Sequence, residues 1–102
     1  MKETLELLLG PLQEFQKINA ITIRYLKLGD YDEYKFIYIV ELQQKAKEYA
    51  LKRNITLGSC ILLQGARCIL DNLDTGESKI FWADTEADAV FKALEYIRKG
   101  KR

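Results

Sequence analysis

Leu5, Leu8, Leu9, Leu12, Phe15 and Ile18 recur at three- and four-residue steps, with Glu3, Glu6, Glu14 and Lys17 between them. That period draws one apolar stripe and predicts helix over residues 2–18. Gly10-Pro11 interrupts it. Proline lacks a backbone N–H and clashes with the preceding turn, so a break is expected there, with Pro11 opening a second helical segment. From Ala20 to Leu28 the pattern changes to alternation: Ile21, Ile23 and Tyr25 face one way, Thr22, Arg24 and Lys27 the other. Gly29-Asp30-Tyr31-Asp32-Glu33 is a polar turn, and Tyr34–Val40 follows as a second strand, so the pair reads as a β-hairpin. An alternative stays open. Asp30 and Glu33 have capping-box spacing, and one buried helix from Tyr31 to Arg53 is the competing assignment.

Helix is expected from about Leu42 to Arg53, with Leu42, Ala46, Tyr49 and Ala50 on its apolar side and Asn54 in the left-handed conformation that ends it. Thr56–Leu63 and Arg67–Leu73 read as strands joined by a Gln64-Gly65 turn. Asp74-Thr75-Gly76-Glu77 is the next turn, and Ser78–Ala83 the third strand. The last element is a helix capped by Thr85 with Asp88. Ala87, Val90, Phe91, Leu94 and Ile97 form its buried stripe, and Gly100 its terminator. The expected fold is a single α+β domain over residues 1–102. It has a mostly antiparallel sheet of about five strands covered by helices, in the order α-β-β-α-β-β-β-α.

Composition narrows the class. Hydrophobic residues at 48% and charged residues at 30% belong to a globular chain, and 102 residues can bury one core without staples. No apolar run is long enough to span a bilayer, and the N-terminus has no signal-peptide pattern, so a cytoplasmic protein with no membrane partner is expected. A net charge of +1 puts dedicated nucleic-acid binding behind other readings. Histidine is absent, which removes the commonest general base and metal ligand. Cys60 and Cys68 fall on adjacent strands and would face each other with an odd-numbered turn. Without a histidine they read as packed thiols.

No phosphate-cradling loop or nucleophile elbow is present, so the expectation is a non-enzymatic protein with no cofactor and no metal. Asp71, Asp74, Glu77, Asp84, Glu86 and Asp88 cluster in sequence, and a carboxylate cation site in an enzyme is the remote alternative. Turn and cap preferences account for most of those acids. The candidate interface is Asp30, Tyr31, Asp32, Glu33 and Tyr34 with Tyr38. Aromatics ringed by acids beside a loop suit contact with another protein or a second copy. The nucleic-acid alternative rests on Lys45, Lys47, Lys52, Arg53, Arg98, Lys99, Lys101 and Arg102.

The segment from about Leu42 to Lys99 resembles small phage and prophage α+β sandwich accessory proteins. The resemblance rests on the Asp74-Thr75-Gly76 turn and on Ala83-Asp84-Thr85, followed by Ala89, Ala93 and Leu94. The hairpin-to-helix join is also similar to part of HicB-type antitoxins. The resemblance implies an accessory protein of a mobile element, acting by binding a host protein or nucleic acid, and implies no catalytic residue.

Overall fold

The computed structural model describes residues 1–100. Its contacts divide the chain into two units, Met1–Leu42 and the part from Gln43 onward. The first contains helix α1 (Lys2–Leu9) and strands β1 (Leu12–Lys17), β2 (Thr22–Lys27) and β3 (Lys35–Tyr38); the boundary falls inside helix α2 (Ile39–Leu51). The second continues with β4 (Ile55–Leu62), β5 (Gly65–Asn72), β6 (Ser78–Ala83) and helix α3 (Glu86–Gly100). The α+β class and the expected order stand, with one strand more. The strands form two antiparallel three-stranded sheets, β1-β2-β3 and β4-β5-β6, rather than one sheet of about five.

The extra strand corrects the expected helix over residues 2–18. α1 ends at Leu9; Gly10 turns at φ +86° with its N–H on the Glu6 carbonyl, and the Glu6 carboxylate accepts the Leu12 N–H at 2.8 Å. Beyond Pro11 the chain is extended. A bulge between Leu12 and Glu14 inserts Gln13, so Leu12 and Phe15 share a face with their cross-strand partners Lys27 and Tyr25, which puts Lys27 on the Tyr25 side rather than on the Arg24 side as expected. Three-residue spacing in this segment therefore comes from a bulged strand and imitates a helix. At the β1–β2 turn the Asn19 side chain accepts the N–H groups of Ile21 and Thr22, an Asx turn.

The single helix from Tyr31 to Arg53 is also overturned: β3 occupies Lys35–Tyr38, shorter than the Tyr34–Val40 expected, and α2 starts at Ile39. Leu42, Ala46 and Ala50 are fully buried, and Asn54 closes the segment at φ +58° as its residue type predicts.

In the second unit α3 lies along one face of its sheet. Ile55 and Leu57 of β4, with Ala66, Cys68 and Leu70 of β5, are buried on that side; α3 contributes Ala89, Val90, Ala93, Leu94 and Ile97. The Phe81 and Tyr96 rings meet at 5.6 Å, and the Ser59 hydroxyl donates to the Glu86 carboxylate at 2.6 Å. Thr85 caps α3 by accepting the Asp88 N–H at 3.1 Å. The β4–β5 turn is Leu63-Gln64, one residue earlier than expected, because Leu62 pairs with Gly65. Gly65 is needed there: φ is +97°, and a Cβ would lie 2.7 Å from the Ala83 carbonyl oxygen. This even-numbered turn pairs Cys68 with Ser59 and Cys60 with Arg67, so the two thiols point to opposite faces.

Candidate functional site

Strand alternation sorts the side chains of β1-β2-β3 into two faces. Ile23 and Ile37 pair on one and are buried. On the other, Gln16, Arg24 and Phe36 form a cross-strand row, with Thr22 and Tyr38 beside it. Phe36 is 62% exposed and Tyr38 54%, although burial of either ring would remove a large apolar area from water. Tyr34, just before β3, completes an aromatic series at alternate positions along one edge strand. A pocket of about 300 Å³ opens between Thr22, Phe36, Ile37, Tyr38 and Glu41.

Arg24 organises the polar half of this face. Its guanidinium donates to the Gln16 side-chain oxygen at 2.7 Å and lies 4.5 Å from the centroid of the Tyr34 ring. Its Nε is buried without a hydrogen-bond partner among the described residues. The Tyr34 hydroxyl donates to the Glu14 carboxylate, and that bond, with burial, raises the phenol above its ordinary range. The arrangement offers flat apolar rings with fixed positive and negative groups at their margin. Such a surface has the chemistry to contact a shaped, partly charged group.

The expected interface residues divide. Tyr34 and Tyr38 belong to this face. Asp30 instead pairs with Lys35 at 3.1 Å, which raises the Lys35 ammonium through that hydrogen bond. Tyr31 projects from the turn, 83% exposed, beside exposed Asp32 (φ +60°) and Glu33. Phe36, Arg24 and Thr22 were not expected in the site. The signal for Phe36 is period-two alternation from Tyr34 to Tyr38, hidden inside a run where nearly every residue favours strands; that for Thr22 and Arg24 is the alternation of Ala20–Leu28.

The expected nucleic-acid residues are differently placed. Lys45 and Lys52 are exposed on or beside α2 and Lys47 is half-buried. Arg53 lies 3.6 Å from the Tyr49 ring centroid and donates to its carbonyl at 3.1 Å. Arg98 and Lys99 both pair with Glu95. Lys101 and Arg102 lie outside the described residues. Residues 1–42 carry five basic and seven acidic side chains against eleven and eight in the remainder. The aromatic face therefore sits in the acidic unit.

The carboxylates of 71–88 are largely taken up singly. Asp71 accepts from Ser78 at 2.6 Å, Asp74 from Asn54 at 3.3 Å, and Glu77 from Tyr96 at 3.2 Å. Among the described residues no three His, Cys, Asp or Glu side chains come together to hold a metal ion. Burial pushes the Cys68 thiol up to about 11. Among the described residues no helix is long and apolar enough to cross a membrane. Compared with known proteins, the chain matches no family model, no curated protein and no solved structure.

Proposed function

We propose that this is a small non-enzymatic binding protein that grips a partner protein through the exposed face of β1-β2-β3. The observation that carries this reading is the aromatic series Tyr34, Phe36 and Tyr38 on one solvent-facing side of an edge strand. Three exposed rings beside an anchored arginine have the composition of an interface centre, where aromatics and arginine dominate the binding energy. The flanking acids Glu41, Asp32 and Glu33 favour a partner that sets a lysine or arginine beside apolar side chains. A cytoplasmic accessory role in a phage or mobile element, implied by the hairpin-to-helix resemblance, fits such a chain.

The test is affinity capture from the native host with wild type and a Phe36→Ala/Tyr38→Ala variant. Both rings are solvent-facing, so the variant keeps its circular dichroism spectrum, and it loses the captured partner. Equal capture by both proteins overturns the assignment of this face. Loss only in a Lys45→Ala/Lys52→Ala variant, together with steep salt dependence, moves the function to nucleic acid.

A further inference from the structure

α3 covers one face of β4-β5-β6 and leaves the other with an ordered charge pattern. On that open face the register builds three rows: Cys60, Arg67 and Trp82; then Gly58, Ile69 and Ile80; then Thr56, Asp71 and Ser78. Trp82 and Ile80 are 55% and 49% exposed. The central strand thus carries a cation, an apolar residue and an anion in line, with Ile69 at the middle. The Arg67 side chain has no ion pair or hydrogen bond among the described residues, and its Nε is buried unpartnered. Asp71 holds only the Ser78 hydroxyl on one carboxylate oxygen.

We infer that this face pairs with the same face of a second copy about a two-fold axis through Ile69, perpendicular to β5. Such an axis sets Arg67 of each copy against Asp71 of the other, while Ile69 meets Ile69 and Ile80 meets Ile80. An isologous contact has to be self-complementary, and this charge order is. Stacking the strands the other way sets Arg67 on Arg67 and Asp71 on Asp71, which like-charge repulsion disfavours. Face-to-face sheets lie ~10 Å apart, within reach of an extended arginine. Gly58 sits beside the axis, and a Cβ there meets nothing within 4 Å, so no side chain on β4 props the copies apart. Strands of eight, eight and six residues present a modest area, so the dimer belongs to the weaker, small-interface class.

Sedimentation of the full chain across micromolar to millimolar concentration tests this. Wild type moves toward twice its 11.9 kDa mass as concentration rises. Arg67→Asp and Asp71→Arg each weaken association by about tenfold or more, because two like-charge contacts replace two attractive ones. The double exchange R67D/D71R restores it, since the axis again sets opposite charges together. If either single variant loses its circular dichroism spectrum, Ile80→Lys on edge strand β6 takes its place and also abolishes the dimer. A wild type that stays monomeric throughout overturns the proposal. So do single charge reversals without effect, or a double exchange that fails to recover association. The Phe36→Ala/Tyr38→Ala variant dimerises like wild type, which separates this surface from the partner-binding face of β3.

Discussion

The two three-stranded sheets of this chain use the same alternation for different ends. In β5 each apolar residue turned toward α3 is buried, and Cys68 and Leu70 are at most 1% exposed. In β3 only Ile37 is buried, while the aromatic residues on either side of it face solvent. Aromatic rings are the most valuable core material a small chain has, so two of them on the wet side of a four-residue edge strand are the observation behind the proposed binding face. The second sheet packs a core on one face; the first exposes the face proposed to bind a partner.

The sharpest way to break this contrast is to truncate one residue on each side. Leu94→Ala removes a fully buried side chain of α3 and is expected to cost about 3 kcal/mol, a large share of a small domain's stability. Phe36→Ala is expected to change stability by less than about 0.5 kcal/mol, as exposed substitutions do. Urea denaturation of both variants measures this. Comparable losses would show that Phe36 is a core residue and end its role in the candidate site.

A smaller effect compares two glycines of one hairpin. Gly65→Ala places a methyl against the Ala83 carbonyl at positive φ and is expected to destabilise by about 2 kcal/mol. Gly58→Ala meets open space in an extended strand, and by restricting the unfolded chain it is expected to be neutral or stabilising by about 0.5 kcal/mol. Thermal unfolding at low concentration reads both. A tolerated Gly65→Ala would mean that β6 does not end against β5 as described.

The same contrast governs what could be read in advance. Thr85 as a cap, Asn54 as a left-handed stop and Gly76 in its turn are local devices, visible in a few consecutive residues, and the structure has each. β1 is not local. Leu12 and Phe15 have helical spacing, and only the bulge opposite β2 explains why a strand carries it, while Ile18 lies past the strand's end and is exposed. The passage from β3 to α2 at Tyr38-Ile39 has no glycine, proline or cap residue to announce it. All four strand pairings join consecutive strands, and the division into two sheets falls where α2 separates β3 from β4 along the chain, a break that no local residue pattern announces. In the candidate site Tyr34 and Tyr38 were legible as aromatics beside an acidic loop. Phe36 and Arg24 needed the register that sets them side by side.

The two cysteines give the least disruptive comparison, because they lie on opposite faces of one hairpin. Cys68 is fully buried and its thiol is raised from 9.0 to about 11 by burial, opposed by Lys47 and assisted by Glu86; Cys60, on the open face, is half-buried. A thiol-specific disulfide reagent at pH 8 should modify Cys60 and leave Cys68 protected until urea unfolds the chain. The raised value also fixes the sign of a pH effect. Folding favours the protonated Cys68 thiol, so its contribution is complete below pH 9 and is lost as pH rises toward 11. The unfolded chain releases that proton first and is stabilised by alkali. Cys68→Ala should therefore lower stability at pH 8 through the small cavity it leaves, and also flatten the decline between pH 9 and 11. Paired urea titrations of wild type and variant at pH 8 and 10.5 isolate the thiol from the lysines and tyrosines that ionise in the same range. An unchanged slope would mean that Cys68 is as open to water as Cys60, and that the face under α3 is not the dry side of the sheet.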